Sequence, residues 1–116
     1  GEAIFISPHS LSAAACPRSY KKGEYITYGK DFYTRELTDR NPETLAYVKR
    51  LHNERRQIRF MPDTMRPFSA DMSSYGNRLI VSSVKEDYFA VSIESEPVAS
   101  SFRTLFNMIW EISSES

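Results

Sequence analysis

The sequence has little of several residue types that mark particular functions. Its 116 residues include one cysteine, two histidines, one tryptophan and four glycines. Because Cys16 has no second cysteine to pair with, no disulfide can form within the chain, and the chain suits a reducing compartment, which predicts a cytoplasmic protein. Two histidines and a lone cysteine give no constellation for a metal ion, so we predict neither a metal site nor a cofactor.

The chain also lacks a charge excess and a long apolar run. Fifteen basic residues balance fifteen acidic ones, so nothing directs the whole chain toward DNA or a membrane surface. No stretch approaches the ~18–20 apolar residues that span a bilayer, and we expect no membrane contact. Apolar residues still make up 41% of the sequence, and the length predicts a single domain over residues 1–116 with one hydrophobic core.

Short apolar stretches predict two strands in the first part of the chain, over residues 3–7 and 32–38. Between them, residues 10–16 fit a turn or two of helix before a proline. Residues 17–31 contain two glycines that interrupt any helical pattern, and no secondary structure is predicted for them.

A helix is predicted to start at Asn41. The Asn41 side chain can cap free N–H groups, and Pro42 has the backbone geometry of a first helical turn. Apolar residues recur at helical spacing as far as Leu51. We expect Arg55 and Arg56 to close the helix, where cations are favoured.

The rest of the chain predicts strands followed by a terminal helix. Strands are predicted over residues 57–61, 69–75, 78–84 and 88–94, with turns at 76–77 and 85–87. The helix opens at Pro97, and its apolar stripe consists of Val98, Phe102, Leu105, Phe106, Ile109 and Ile112. The stripe must be buried on the sheet or on another subunit, because each such side chain contributes about 1.5–3 kcal/mol when buried.

Two features of these elements predict the architecture. Strands alternate with helices and then form a meander, which predicts an α/β (α+β) fold with a mixed sheet of about five to six strands and helices packed on it, ending in a long amphipathic helix. Met108 and Trp110 lie off the main stripe of this helix. A second apolar face predicts packing against a partner, and we expect a homodimer.

Four segments carry a resemblance to a known family: "FYTRELT" at 32–38, "RQIRFMP" at 56–62, "RPFSADMSSYGNRLIVSS" at 66–83 and, overlapping it, "YGNRLIVSSVKEDYFAVSIESEPVASSFRTLFNMIW" at 75–110. In this order they resemble the C-terminal phospholipase D-like domain of the TrmB-like transcriptional regulators, over residues 32–112, whereas residues 1–31 match poorly. The resemblance implies a domain that senses a small effector, such as a sugar or a phosphate compound, or that dimerises. These regulators bind DNA through a winged helix–turn–helix, and we expect DNA contact only through such a unit, which is not present in this chain.

The resemblance also implies that the domain is not an enzyme. Active phospholipase D-type enzymes carry a His-x-Lys-x4-Asp motif on the strand that enters the hairpin. With the hairpin turn at residues 76–77, the histidine position falls near Phe68 or Ser69 and the lysine position near Ala70 or Asp71, while the aspartate falls on residue 75 or 76. None of these supplies a nucleophilic imidazole or a phosphate-binding ammonium group. A phosphodiesterase or nuclease of this type and a plain interaction module remain the alternatives.

Arginines are the remaining candidates for a binding site. Arg35 and Arg59 lie on predicted strands, with Arg56 nearby, and guanidinium groups can hold a phosphate or carboxylate with two hydrogen bonds. The alternative is that they form ion pairs with neighbouring acidic residues at the surface. We expect the two histidines, His9 and His52, to be structural.

Overall fold

The computed structural model describes residues 1–8, 32–83 and 89–115. The strands in these ranges are β1 (Glu2–Ser7), β2 (Tyr33–Thr38), β3 (Arg56–Phe60), β4 (Ala70–Tyr75), β5 (Arg78–Ser83) and β6 (Ala90–Glu94). The α-helices are α1 (Pro42–Leu51) and α2 (Glu96–Ile112), and Asp63–Met65 form a short 3-10 helix. The predicted helical turns at 10–16, the turn at 85–87 and the stretch 17–31 lie outside the described residues.

The six strands form one sheet in the order β3-β2-β1-β4-β5-β6. Strands β1, β2 and β3 are parallel, and β4, β5 and β6 are antiparallel to their neighbours. The β4–β5 hairpin turns at Gly76, whose φ of 61° lies in the left-handed region that glycine adopts without a Cβ penalty. The predicted mixed sheet, with its meander and long terminal helix, is confirmed.

Helix α2 lies across one face of the sheet. Its buried residues are Ala99, Phe102, Phe106 and Trp110, and the three aromatic ones pack on apolar residues of β1, β2 and β5. The predicted stripe is confirmed for Phe102, Phe106 and Ile109, which pack in the core. It is wrong for Val98, Leu105 and Ile112, which are exposed, and it left out Trp110, which is buried. Positions 102, 106 and 110 recur every four residues and place three large aromatic rings on one side, so this face is the one that is buried.

The chain beyond α2 reaches the far edge of the sheet. The Phe60 N–H donates a 2.7 Å hydrogen bond to the Ser114 carbonyl, and the Ser114 N–H returns one of 3.2 Å. This isolated bridge lies on the open side of β3. Within the described residues, neither helix has the length and apolar composition needed to cross a membrane.

Helix α1 covers the other face of the sheet, over β3. Tyr47 and Val48 pack against Ile58 and Phe60 in a second apolar cluster. Asn41 caps the helix as predicted, with its side chain accepting a 2.9 Å hydrogen bond from the Thr44 N–H. The alternation of β2 and β3 thus serves two helices, one on each face.

The predicted end of α1 at Arg55 and Arg56 is wrong. The helix ends at Leu51, and Arg56 already begins β3. The Asn53 side chain accepts hydrogen bonds from the N–H groups of both arginines, at 2.9 and 3.0 Å. Asn side chains that bond to following N–H groups compete with helix continuation, so the chain turns here.

Candidate functional site

Two of the three arginines singled out from the sequence meet on the face that α2 covers. In the β2–β3 register, Leu37 lies opposite Arg59, so Arg35 and Arg59 point to the same side of the sheet. The Arg59 guanidinium lies 4.5 Å from the centre of the Trp110 ring, and that of Arg35 lies 5.4 Å from it. Arg35 is also 5.1 Å from the Phe106 ring. We call these four side chains the Trp110 cluster.

The guanidinium of Arg35 is already engaged by protein groups. Its Nε and Nη2 donate hydrogen bonds of 3.1 and 3.0 Å to the two carboxylate oxygens of Glu2. Nη2 also donates one of 2.9 Å to the side-chain oxygen of Asn107 on α2. This two-point geometry is the one that an anionic ligand would use, so Glu2 occupies the position that such a ligand would need.

Arg59 contacts the C-terminal end of α2. Its Nη1 donates a 2.9 Å hydrogen bond to the Trp110 carbonyl, and its Nη2 lies 3.6 Å from a Glu115 carboxylate oxygen. The carbonyls of the last helical turn have no partner inside the helix and carry partial negative charge. The Trp110 carbonyl also accepts from the N–H and the hydroxyl of Ser113, and the Arg59 cation adds a charged donor that stabilises the helix end.

Arg56 does not join the other two arginines. It lies opposite Thr34 in the β2–β3 register and projects to the face that α1 covers. There its Nη2 donates a 3.3 Å hydrogen bond to the Tyr47 hydroxyl. The structure thus splits the three arginines between two faces of the sheet, and the anion-binding role of Arg35, Arg59 and Arg56 stays a prediction.

Next to Arg56 lies a carboxyl group that the sequence did not single out as a site. The Tyr47 hydroxyl donates a 2.7 Å hydrogen bond to Oε2 of Glu36. Burial raises the pKa of the Glu36 carboxyl to about 7, an effect that the Tyr47 hydrogen bond and the Arg56 charge partly offset. Burial and the neighbouring Glu36 raise the pKa of the Tyr47 hydroxyl well above its usual range. We call these residues the Glu36–Tyr47–Arg56 network.

The strand parity of β2 was the available signal for this network. Glu36 lies on the same face of β2 as Thr34 and Thr38, which are both buried on the side of α1. Tyr47 lies three residues after Thr44 and next to Val48, on the buried face of the helix. The sequence shows each residue on a buried face, but only the packing of α1 on β2 and β3 brings them together.

The positions that would carry phospholipase D-type catalysis lie along β4 and just before it. Phe68 is partly buried and packs against the core beneath α2. Ala70 and Asp71 pair with Ser83 and Ser82 of β5. Gly76 forms the hairpin turn. A hydrolytic mechanism of this type would need an imidazole and an ammonium group at these positions, and the chain places neither there.

The described residues contain no arrangement that suggests a catalytic histidine or a metal site. His52 accepts a 3.0 Å hydrogen bond at Nδ1 from the N–H of the fully buried Ile58, which is a structural role. His9 and Cys16 lie outside the described residues. In residues 1–8, 32–83 and 89–115, no group of three or more His, Cys, Asp or Glu side chains is arranged to hold a metal ion.

An open depression of about 540 Å³ lies beside the β4–β5 hairpin. Its lining includes Phe5, Tyr75, Ile80 and Arg78. Arg78 is 4.0 Å from a Glu94 carboxylate oxygen. The exposed Tyr75 ring offers a surface on which a sugar or a base can stack.

Comparison with known proteins finds a match in structure. No family model matches the chain, and no curated protein matches it in sequence. The solved structure of TrmBL2, an archaeal chromatin protein described as showing a novel mode of DNA binding, superposes with a TM-score of 0.59. The match covers 99% of this chain at 16% sequence identity. The chain shares its fold with part of TrmBL2. It spans 45% of the length of that TrmBL2 chain.

Proposed function

We propose that this chain is a non-catalytic domain of a TrmB-like transcriptional regulator, acting in effector sensing or dimerisation in the cytoplasm. The observation that carries the proposal is the fold shared with TrmBL2 over 99% of the chain. The sequence segments that resemble the TrmB-like domain contain β2, β3, β4, β5, β6 and most of α2. The sequence resemblance and the fold therefore point to the same group of proteins. In this proposal, DNA binding belongs to a winged helix–turn–helix outside this chain.

The residues at the catalytic positions support a non-catalytic role. Phe68 packs in the core and Ala70 has no functional group, while Asp71 would repel a phosphate. The test is incubation with phosphodiesters and nucleic acids, with divalent metal and with chelator. We expect no turnover above background. Turnover that is abolished by one substitution in the described residues would establish the enzyme alternative instead.

Effector sensing predicts that a small anion or sugar binds one of the two sides of the sheet. At the Trp110 cluster an anion would replace Glu2 on Arg35, and Trp110, the only tryptophan, would report the change by fluorescence. A ligand at 100 times its dissociation constant adds about 2.7 kcal/mol of stability, which a thermal-shift screen detects. Inorganic phosphate, sugar phosphates, sugars and nucleotides form the screen.

Three variants locate the site of any ligand found. R35Q removes the two-point donor of the Trp110 cluster, R56Q changes the opposite face, and K49Q alters a charge on the exposed side of α1 as a control. A phosphate compound should lose its thermal shift in R35Q and keep it in R56Q and K49Q. If the whole screen gives no shift, effector sensing by these ligand classes is excluded, and dimerisation remains the proposed role.

A further inference from the structure

We propose that the outward face of α2 is the centre of a two-fold interface with a second copy of this chain. The inference rests on the dimerisation role proposed above and names the surface that carries it. Helix α2 buries one face on the sheet, but a separate apolar stripe points away from the core. We call Val98, Ser101, Leu105, Met108 and Ile112 the outer stripe.

The outer stripe has the spacing of a helix–helix contact. Its members follow one another at intervals of three, four, three and four residues, the pattern that keeps a seam of side chains facing a partner helix. The four apolar members are exposed by 38–70%. The buried face of α2 is already satisfied by the sheet, so the stripe is additional to what the fold requires.

The apolar surface continues from α2 onto the sheet. Phe89, Val91 and Ile93 are exposed by 37–52%, and the pairing of Val91 with Val81 and of Ile93 with Leu79 places them on the face that α2 covers. Arg103 and Asn107 lie on the other flank of α2, where they reach Gly76 and Arg35. The outer stripe therefore lies on the flank of α2 opposite Arg103 and Asn107, on the same side of the sheet as these β6 side chains.

The size of this surface fits a second copy of the chain. Its seven large apolar side chains are exposed by 37–70%, which presents on the order of 600 Å² of apolar area. This is at the upper end of the 300–600 Å² of the largest patch on a typical monomer, and it can form the apolar centre of an interface of about 800 Å² per partner, with the rim supplying the rest. None of the seven side chains named for this surface is charged. An uncharged patch offers no complement to an acidic or basic partner, whereas it is complementary to itself.

The spacing of the stripe suits a two-fold contact centred on Leu105. With two antiparallel helices related by a two-fold axis through Leu105, Val98 of one copy lies opposite Ile112 of the other, and Leu105 lies opposite Leu105. In a two-fold interface, each contact between two different residues occurs twice. A residue on the axis meets its own counterpart, which gives a specific test.

The test uses opposite charges at residue 105. L105K and L105E each place like charges against each other in a homodimer and should weaken its association at least about 100-fold. Mixing the two variants pairs lysine with glutamate and should restore a dimer. S100K, which adds the same charge on the polar flank of α2, is the matched control and should leave association unchanged. Analytical ultracentrifugation measures each sample, and thermal unfolding checks that every variant is folded.

The possible results separate this inference from the function on which it rests. A wild-type dimer that persists in L105K overturns the interface and leaves dimerisation standing. A wild-type chain that is monomeric at high concentration overturns both the interface and the dimerisation role. A large loss of thermal stability in L105K but not in S100K, measured where both are monomeric, would show that another part of the same chain covers the stripe, and would also overturn the proposal.

Discussion

The Tyr47 hydroxyl donates a 2.7 Å hydrogen bond to Oε2 of Glu36, and so joins helix α1 to strand β2. Arg56 on β3 donates to the same hydroxyl at 3.3 Å. The Glu36 carboxyl is held among protein groups, with its pKa raised to about 7, although part of the side chain remains accessible. The contact has consequences for stability that can be measured.

Stability should fall as pH rises between about 4.5 and about 7. The carboxyl of Glu36 has an ordinary pKa of 4.5 in the unfolded chain and a raised one in the folded protein, so in this window the folded state binds the extra proton. Raising the pH removes that proton and about 1–3 kcal/mol of unfolding free energy. Urea denaturation of the wild type and of E36Q across this range measures the effect.

The E36Q variant serves as the control for the remaining carboxyl groups. Its amide cannot titrate but still accepts a hydrogen bond from Tyr47. The unfolding free energy of the wild type should therefore fall relative to that of E36Q as the pH rises. An identical pH dependence for the two proteins would contradict the raised pKa of Glu36.

Phe106 and Leu105 are neighbours in sequence with opposite environments. Phe106 is completely buried and stacks on Trp110, with ring centres 5.7 Å apart, whereas Leu105 is 58% exposed. F106A should cost about 3–5 kcal/mol of stability, because it leaves a cavity in the core. L105A should cost no more than about 0.5 kcal/mol in the monomer. Chemical denaturation at low protein concentration compares them, and similar losses would contradict the burial of Phe106 and the exposure of Leu105.

Asn41 begins α1 through a capping box. Its side chain accepts from the Thr44 N–H, and the Thr44 hydroxyl accepts from the Asn41 N–H, each at 2.9 Å. N41A should lower stability by about 0.5–2 kcal/mol, whereas N41S keeps an oxygen in place and should retain most of it. Urea denaturation and amide hydrogen exchange in α1 provide the readouts. Equal losses in N41A and N41S would assign the effect to the Asn41–Asp39 side-chain contact instead.

Arg59 should stabilise the docking of α2 through its contacts with Trp110. R59A removes the cation above the ring and the donor to the Trp110 carbonyl, and we expect a loss of about 1–2 kcal/mol with a shift of tryptophan emission to longer wavelength. K49A, on the exposed side of α1, is the control and should change stability by no more than about 0.5 kcal/mol. Unchanged emission in R59A would mean that the sheet alone holds Trp110 in place.

The strands and helix starts could be predicted from local sequence because they depend on local chemistry. Alternation and turn residues predicted all six strands to within one or two residues in the described part of the chain, and Asn41 with Pro42 located the start of α1. The end of α1 was misplaced because the cationic residues at 55 and 56 suit a helix end. The side chain of Asn53 decides the matter, since it binds both following N–H groups.

The candidate site was less predictable because it depends on which faces meet. Arg56 and Arg59 are three residues apart on one strand, so they must point to opposite sides, but this follows only once Arg56 is assigned to β3. In α2 two apolar stripes lie side by side, and their hydrophobicity alone does not say which one the sheet covers. The aromatic spacing at Phe102, Phe106 and Trp110 was the more informative pattern.

The bridge between Phe60 and Ser114 has a further consequence for solubility. Edge strands have unpaired backbone N–H and C=O groups that can pair with a strand of another molecule. The bridge to Ser114 uses some of these groups on the edge strand β3. Shortening the chain to residue 112 would uncover that ladder without removing any large core side chain. The first defect of the shortened protein would then be aggregation through the edge strand β3 rather than a loss of folding.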